Sequence, residues 1–288
     1  RVFFFDDNIE MKGSESSPGI CNLRDVTTGD FVDFGAGVNG FCRETAASHT
    51  VVHHSSAYRS VLVKVNILDA MEDVDYFTKI VKRFSEPDEE ILVFMDVNST
   101  ILCADSTTNR GLSSVLLSTL FEFFELRPHA KFELQWDTRP RLEIAKKISL
   151  KDIVKKISKG DPDYYNRFYN LDHCVKFFTE LSKYGTVHWT STGEASTPAE
   201  FAESYNKYDA SVAGSLSEHG ITKSWFKLFA SLQANHVGQH TVILNSFGID
   251  TQTIVRSTVS DGPRPLQLTV NHSLWEQRDV EKFEKSFA

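Results

Sequence analysis

Cysteine is scarce. The chain of 288 residues has four, Cys21, Cys42, Cys103 and Cys174, far apart and without CxxC spacing. That excludes a disulfide scaffold and leaves reduced, structural thiols as the expectation. Long apolar runs are missing as well. The longest, Val2 to Phe5 and Ile91 to Met95, fall far short of the roughly 20 residues that a membrane helix needs, so no membrane span is expected. Basic charge is also short, with 31 Lys and Arg against 39 Asp and Glu for a net charge of -8. Such a balance argues against nucleic acid as a partner, because sequence-independent binding needs a basic face to displace phosphate counterions. A phosphorylated ligand remains open to an acidic protein where a cation sits in the site. Reduced thiols and the lack of a visible secretory feature set an intracellular, cytoplasmic location as the expectation. Arg1 falls inside a strand-like run, so a native N-terminus and any targeting signal are expected upstream of it.

What is there is core material: 41% of the residues are hydrophobic and 22 are Phe, enough for one large or two modest domains. A repeat is visible. The run VLVKVNILDAMEDVDYFTKIVKRF near residue 60 resembles LQLTVNHSLWEQRDVEKFEKSF at the end, so that Val65-Asn66 lines up with Val270-Asn271. Ahead of each lies an apolar strand ending in small polar residues, VFFFDDNIE from Val2 and TVILNSFGID from Thr241. The expected organisation is a C-terminal half-domain over residues 1–87 and a complete domain of the same type over residues 88–288. SEPDEE, Ser85 to Glu90, forms an exposed linker between them.

Inside the second copy, ILVFMD reads as a strand buried on both faces of a parallel sheet. Helical spacing follows from Leu112 in LSSVLLSTLFEFFEL and from Leu142 in LEIAKKISLKDIVKKIS. LDHCVKFFTELSKYG reads as a helix stopped at Gly185, TVHWT as a strand, KSWFKLFASLQAN from Lys223 as a helix and TVILN as a strand. Strands alternating with helices predict an α/β fold with a doubly wound parallel sheet, Rossmann-like, whose sites lie at the carboxyl ends of the strands.

The candidate chemistry starts at VFMDVNSTIL, where a strand presents Asp96, with Asn98 two residues on and Thr100 four on. A carboxylate there can attack phosphorus and can bind Mg²⁺. The motif resembles hhhhDxDxT, the opening signature of the haloacid dehalogenase superfamily. The resemblance implies that Asp96 is the nucleophile that forms an aspartyl-phosphate, that Thr100 braces the turn, and that the Asn98 carbonyl reaches a metal. It also implies a helical cap-like insertion, here at about residues 106–170. Asn98 departs from the family's acid/base Asp, since an amide neither gives nor takes a proton.

The family's hydroxyl at the end of the next strand is assigned to Thr190, with Ser191 behind it. Its Lys at the start of a helix is assigned to Lys223, with Lys227 one turn later as substitute. The acidic pair that completes the Mg²⁺ site is split between the copies: Asp6 and Asp7 stand in the first, and Asn245 and Ser246 occupy the matching places of the second, with Asp250 nearby. Arg139 and Arg141, in WDTRPR, fall in the insertion, where they could contact a substrate anion.

Two functions compete. One is a Mg²⁺-dependent phosphohydrolase of weak or degenerate activity using Asp96, acting on a phosphorylated small molecule or phosphoprotein, with Asp6 and Asp7 completing the site as in a circular permutation. The other is an inactive domain of the same family that binds a ligand or protein, the working site joining Asp6 and Asp7 to an upstream half-domain. The bland readings are turn residues for Asp96 to Thr100, helix-cap or turn hydroxyls for Thr190 and Ser191, solvated lysine for Lys223 and surface ion pairs for the arginines. Adjacent His53 and His54, on opposite faces of a strand, are expected to be structural.

Overall fold

The computed structural model describes residues 1–7, 11–14, 17–21, 41–104, 110–217, 219–234, 240–246 and 267–272; the statements below concern these residues. They form two compact units, one built from residues 1–102 and 217–288 and the other from 103–216. No helix among them is long and apolar enough to cross a membrane.

In chain order the first unit contains β1 (Val2–Asp6), a hairpin of β2 (Met11–Ser14) and β3 (Ser17–Cys21), then β4 (Cys42–Thr45), β5 (Val51–Ser55) and β6 (Ser60–Lys64). It continues through α1 (Ile67–Glu72), α2 (Tyr76–Phe84) and β7 (Leu92–Asp96). The second unit carries α3 (Leu112–Glu122), β8 (Phe124–Pro128), β9 (Phe132–Leu134), β10 (Leu142–Ile144) and β11 (Ile148–Ser149). After these come α4 (Leu150–Ser158), α5 (Pro162–Phe168), α6 (Leu171–Leu181), β12 (Gly185–Trp189) and α7 (Pro198–Ser215). The chain then returns to the first unit with α8 (Lys223–Ala234), β13 (Thr241–Ser246) and β14 (Gln267–His272).

The first unit is organised by a seven-stranded sheet in the order β14-β13-β7-β1-β6-β5-β4. The five strands from β14 to β6 run parallel, and β5 and β4 close one edge antiparallel. The fold is thus mixed α/β with a mainly parallel central sheet. Parallel strands covered on both faces must be apolar throughout, and β1 and β7 obey this. Phe3, Phe5, Val93 and Met95 are buried, and Phe4 stacks on Phe94 across the strand pair at 4.8 Å. From the helices, Phe77 packs edge-on against Phe5 at 5.2 Å, and Ser224 of α8 donates to the Ala70 carbonyl at 2.8 Å.

This arrangement differs from a division near residue 87. β1 hydrogen-bonds to β7 over Val2↔Leu92 to Phe5↔Met95, so residues 1–102 lie in one body and share one sheet with β13. The strand pairs β1–β6 and β13–β14 flank β7 on opposite sides. In the stretch Ser85 to Glu90 that leads into β7, Ser85 is half-buried, Glu89 is buried and the rest is exposed. Glu89 is buried and takes Arg59 at 2.6 Å and Arg1 at 3.2 Å, which ties the connection to the sheet.

The second unit is larger than the expected insertion, running from Cys103 to Leu216, and it has sheets of its own. Its three strands β11-β8-β12 are antiparallel. A phenylalanine cluster fills its core, with Phe121, Phe124, Phe168, Phe177, Phe178 and Phe201 all fully buried. The helix expected from Leu112 ends at Glu122 and gives way to β8. The helical pattern read from Leu142 holds only from Leu150, where Ser149 caps α4 by accepting from the Asp152 N–H at 3.1 Å. α7, an 18-residue helix, starts at a capping box of Thr197 and Glu200.

Candidate functional site

β7 is a central strand, so its carboxyl end opens where parallel-sheet proteins bind ligands. Asp96 closes it, opposite Asn245 of β13 on one side and next to the end of β1 on the other. Beyond Asp96 the chain folds into a tight turn. The Ile101 and Leu102 N–H groups both donate to the Val97 carbonyl, at 3.1 and 2.9 Å, and the Ser99 N–H donates to the Leu102 carbonyl at 2.9 Å. Ser99 sits at φ 62°, a left-handed conformation that costs a residue with a Cβ about 1 kcal/mol or more. Buried Thr100 holds the turn by donating its hydroxyl to Asp96 Oδ2 at 3.0 Å. Leu102 and the Thr222 N–H, which reaches the Ile101 carbonyl at 2.9 Å, fasten the turn to the start of α8.

Asp6 and Asp7 stand at the end of β1. Their carboxylates and that of Asp96 offer ligand atoms within 4.8 Å of one another. This is the single cluster of three or more His, Cys, Asp or Glu side chains among the described residues that could hold a metal. Burial and, after it, the negative charges of Asp6 and Asp7 push the Asp96 carboxyl well above the usual range. The hydrogen bonds from Thr100 and the Val97 backbone oppose the shift. All three side chains are partly accessible. A purely oxygen, anionic donor set at one point suits a hard divalent cation such as Mg²⁺, which takes one or two carboxylates and keeps its remaining positions for water or phosphate oxygens.

The other expected positions lie on both units. Thr190 follows β12, its N–H donating to the Phe123 carbonyl at 2.8 Å, and Ser191 comes next. Both belong to the second unit, so Thr190 does not end a strand of the central sheet. The strand that follows β7 in that sheet is β13, and its last residue, Ser246, stands one register step beyond Asn245. Asn245 does face Asp96 in register, though on the side of β7 away from the acidic pair.

Lys223 opens α8 and is exposed. Lys227 lies 3.7 Å from Asp75 of α2. Arg139 is taken up internally: it donates to the Ile157 and Ser158 carbonyls at 3.0 and 2.6 Å and to Asp161 at 3.1 Å, and its guanidinium lies over the Tyr164 ring at 4.3 Å. Arg141 is an exposed partner of Glu133 at 3.4 Å. These contacts make Arg139 a clamp between α4 and α5. His53 and His54 lie on β5, outside any metal cluster, with His54 packed on Phe84 at 4.9 Å. Asp250 lies outside the described residues.

Compared with protein-family models, with curated proteins and with solved structures, the chain matches none.

Proposed function

We propose that this chain is a phosphohydrolase of the haloacid dehalogenase type, with Asp96 as nucleophile and Asp6 and Asp7 as the acidic pair of the same site. The observation that carries the reading is the meeting of three carboxylates, from the ends of two adjacent parallel strands, within 4.8 Å. Three mutually repelling acids at the mouth of a sheet raise the free energy of the folded state unless a cation offsets them, and no core requirement explains such a cluster. The family resemblance of VFMDVNSTIL supplies the roles, and the end of β1 supplies the acids that β13, which ends in Asn245 and Ser246, lacks.

The cation implied is Mg²⁺. Asp6, Asp7 and Asp96 would hold it, and it would offset charge on the phosphoryl oxygens. The chain's own part is to fix the nucleophile. Thr100 and the Val97 N–H orient the Asp96 carboxylate that would attack phosphorus. The substrate class is a phosphorylated small molecule or phosphoprotein. The reading that Asp6 and Asp7 serve an upstream half-domain is disfavoured by their position beside Asp96.

The test is Mg²⁺-dependent hydrolysis of an aryl phosphate by the purified chain, Asp96→Ala, and the Asp6→Ala, Asp7→Ala double variant. Loss of turnover in both variants supports one composite site. Turnover that survives Asp96→Ala contradicts the assignment of the nucleophile.

A further inference from the structure

We infer that the second unit carries a pH-sensitive latch, in which neutral His173 holds the Trp136 indole and protonated His173 releases it to the Tyr164 hydroxyl. The contact that carries the inference joins residues far apart in sequence. Trp136, just after β9, donates its indole N–H to Nε2 of His173 on α6 at 3.2 Å. An indole nitrogen can only donate, so Nε2 accepts, and His173 is a neutral ring carrying its proton on Nδ1. Protonation would set a second N–H where the indole N–H points, and two donors repel.

The surroundings favour the neutral ring. Phe168 lies 4.7 Å from it and the Trp136 ring 5.4 Å. Burial among such neighbours lowers the His173 pKa from its ordinary 6.5. Asp137, beside Trp136, pulls it back up, and Lys176 of α6 lowers it further. The sign follows from the direction. A histidine whose folded pKa is lowered holds the latch at full strength above 6.5 and gives it up as pH falls below that value.

The released indole has a second acceptor at hand. The hydroxyl of Tyr164 on α5 is buried without a hydrogen-bond partner, and the Trp136 indole faces it with no bond in place. Leaving a buried hydroxyl unpaired is costly, and accepting the indole N–H would relieve that cost. The stretch at Trp136 therefore has two discrete arrangements, and the charge on His173 chooses between them. What it moves is a cover over the core: Trp136 packs edge-on against Phe177 at 4.8 Å, and Phe177 is fully buried. Arg139, charged at every pH, keeps the far end of the same turn on the Ile157 and Ser158 carbonyls.

The experiment is a ¹⁵N–¹H spectrum of the unmodified chain, labelled in its four tryptophans, recorded from pH 8 down to pH 5. The Trp136 indole signal is identified by its loss in Trp136→Phe. The expected result is one titration of that signal with its midpoint below 6.5. The titration should disappear in His173→Gln, whose amide oxygen takes the place of Nε2 at every pH. Tyr164→Phe should alter the acid end of the curve alone, because the second acceptor is then gone. A Trp136 signal that stays fixed with pH, or titrates equally in His173→Gln, overturns the inference. An acid end unchanged in Tyr164→Phe overturns the second acceptor. In the unmodified chain by itself, four indole signals fixed across the range overturn the latch, and one that titrates in step with a histidine ring signal supports it, so the outcome does not depend on any variant folding.

Discussion

Replacing Asp96 by Asn should make the cation-free protein more stable. With ligand atoms no more than 4.8 Å apart, two carboxylates repel by about 3.5 kcal/mol at an effective dielectric near 20 and by about 1 kcal/mol in water. Asp96 takes part in two such pairs. Because all three side chains are partly accessible, the lower half of that range applies, and neutralising Asp96 should contribute about 2 kcal/mol. The amide keeps an acceptor for the Thr100 hydroxyl, so the turn survives. For a domain of this size that is a rise in Tm of roughly 4–8 °C.

The pH dependence fixes the sign. The folded Asp96 carboxyl is held above its ordinary value of 3.8, so the folded state binds more protons than the unfolded state as pH rises above that value. Stability of the unmodified chain therefore falls with pH there, and the fall should vanish in Asp96→Asn. Thermal unfolding in chelator, followed by circular dichroism from pH 4 to pH 8, measures both effects. Adding Mg²⁺ should raise Tm of the unmodified chain and not of the variant. A variant less stable than the parent in chelator at neutral pH, or an equal response of both to Mg²⁺, refutes the reasoning.

Glu89 should behave in the opposite sense. Burial alone would raise its carboxyl, but Arg59, the Glu86 N–H and Arg1 outweigh it and hold it at about 2 against an ordinary 4.5. Its contribution, about 2–3 kcal/mol, should be complete above pH 4.5 and disappear toward pH 2. Denaturant unfolding of Glu89→Gln should therefore show a deficit at pH 7 that shrinks in acid. In the second unit, Arg139→Lys should cost about 2–3 kcal/mol, because an ammonium cannot span the Ile157 and Ser158 carbonyls and Asp161 while stacking on Tyr164. Urea unfolding of the variant checks this, and loss of catalysis in the folded variant would instead favour a substrate role.

Much of the central sheet was legible. The apolar runs of β1, β7 and β13 announce strands buried on both faces, and the motif at Asp96 to Thr100 sits at the end of the strand that carries it. The expected division near residue 87 came from loop length. A local strand closes a shorter loop than a distant one, which made residues 241–246 look like a rival for the place of β1. A central strand has two edges, and both neighbours are accommodated, β13 on one side and β1 on the other.

The sheet to which the Thr190 strand belongs was not legible. TVHWT has the composition of a strand, and composition does not say to which sheet a strand belongs; its partner is β8, in the second unit. LSSVLLSTLFEFFEL reads as one helix because its apolar residues run continuously past Glu122, where α3 gives way to β8. Glu89 was hidden in an acidic run that reads as solvated linker, since its burial depends on Arg1 and Arg59, neither near it in sequence.

The central claim is that carboxylates from β1 and β7 form one site. Calorimetric titration of Mg²⁺ into the unmodified chain, Asp96→Asn and the Asp6→Asn, Asp7→Asn double variant tests it most directly. One binding event, lost in both variants, is the predicted result. Binding that persists undiminished in either variant would contradict the claim, because the carboxylates would then belong to separate sites.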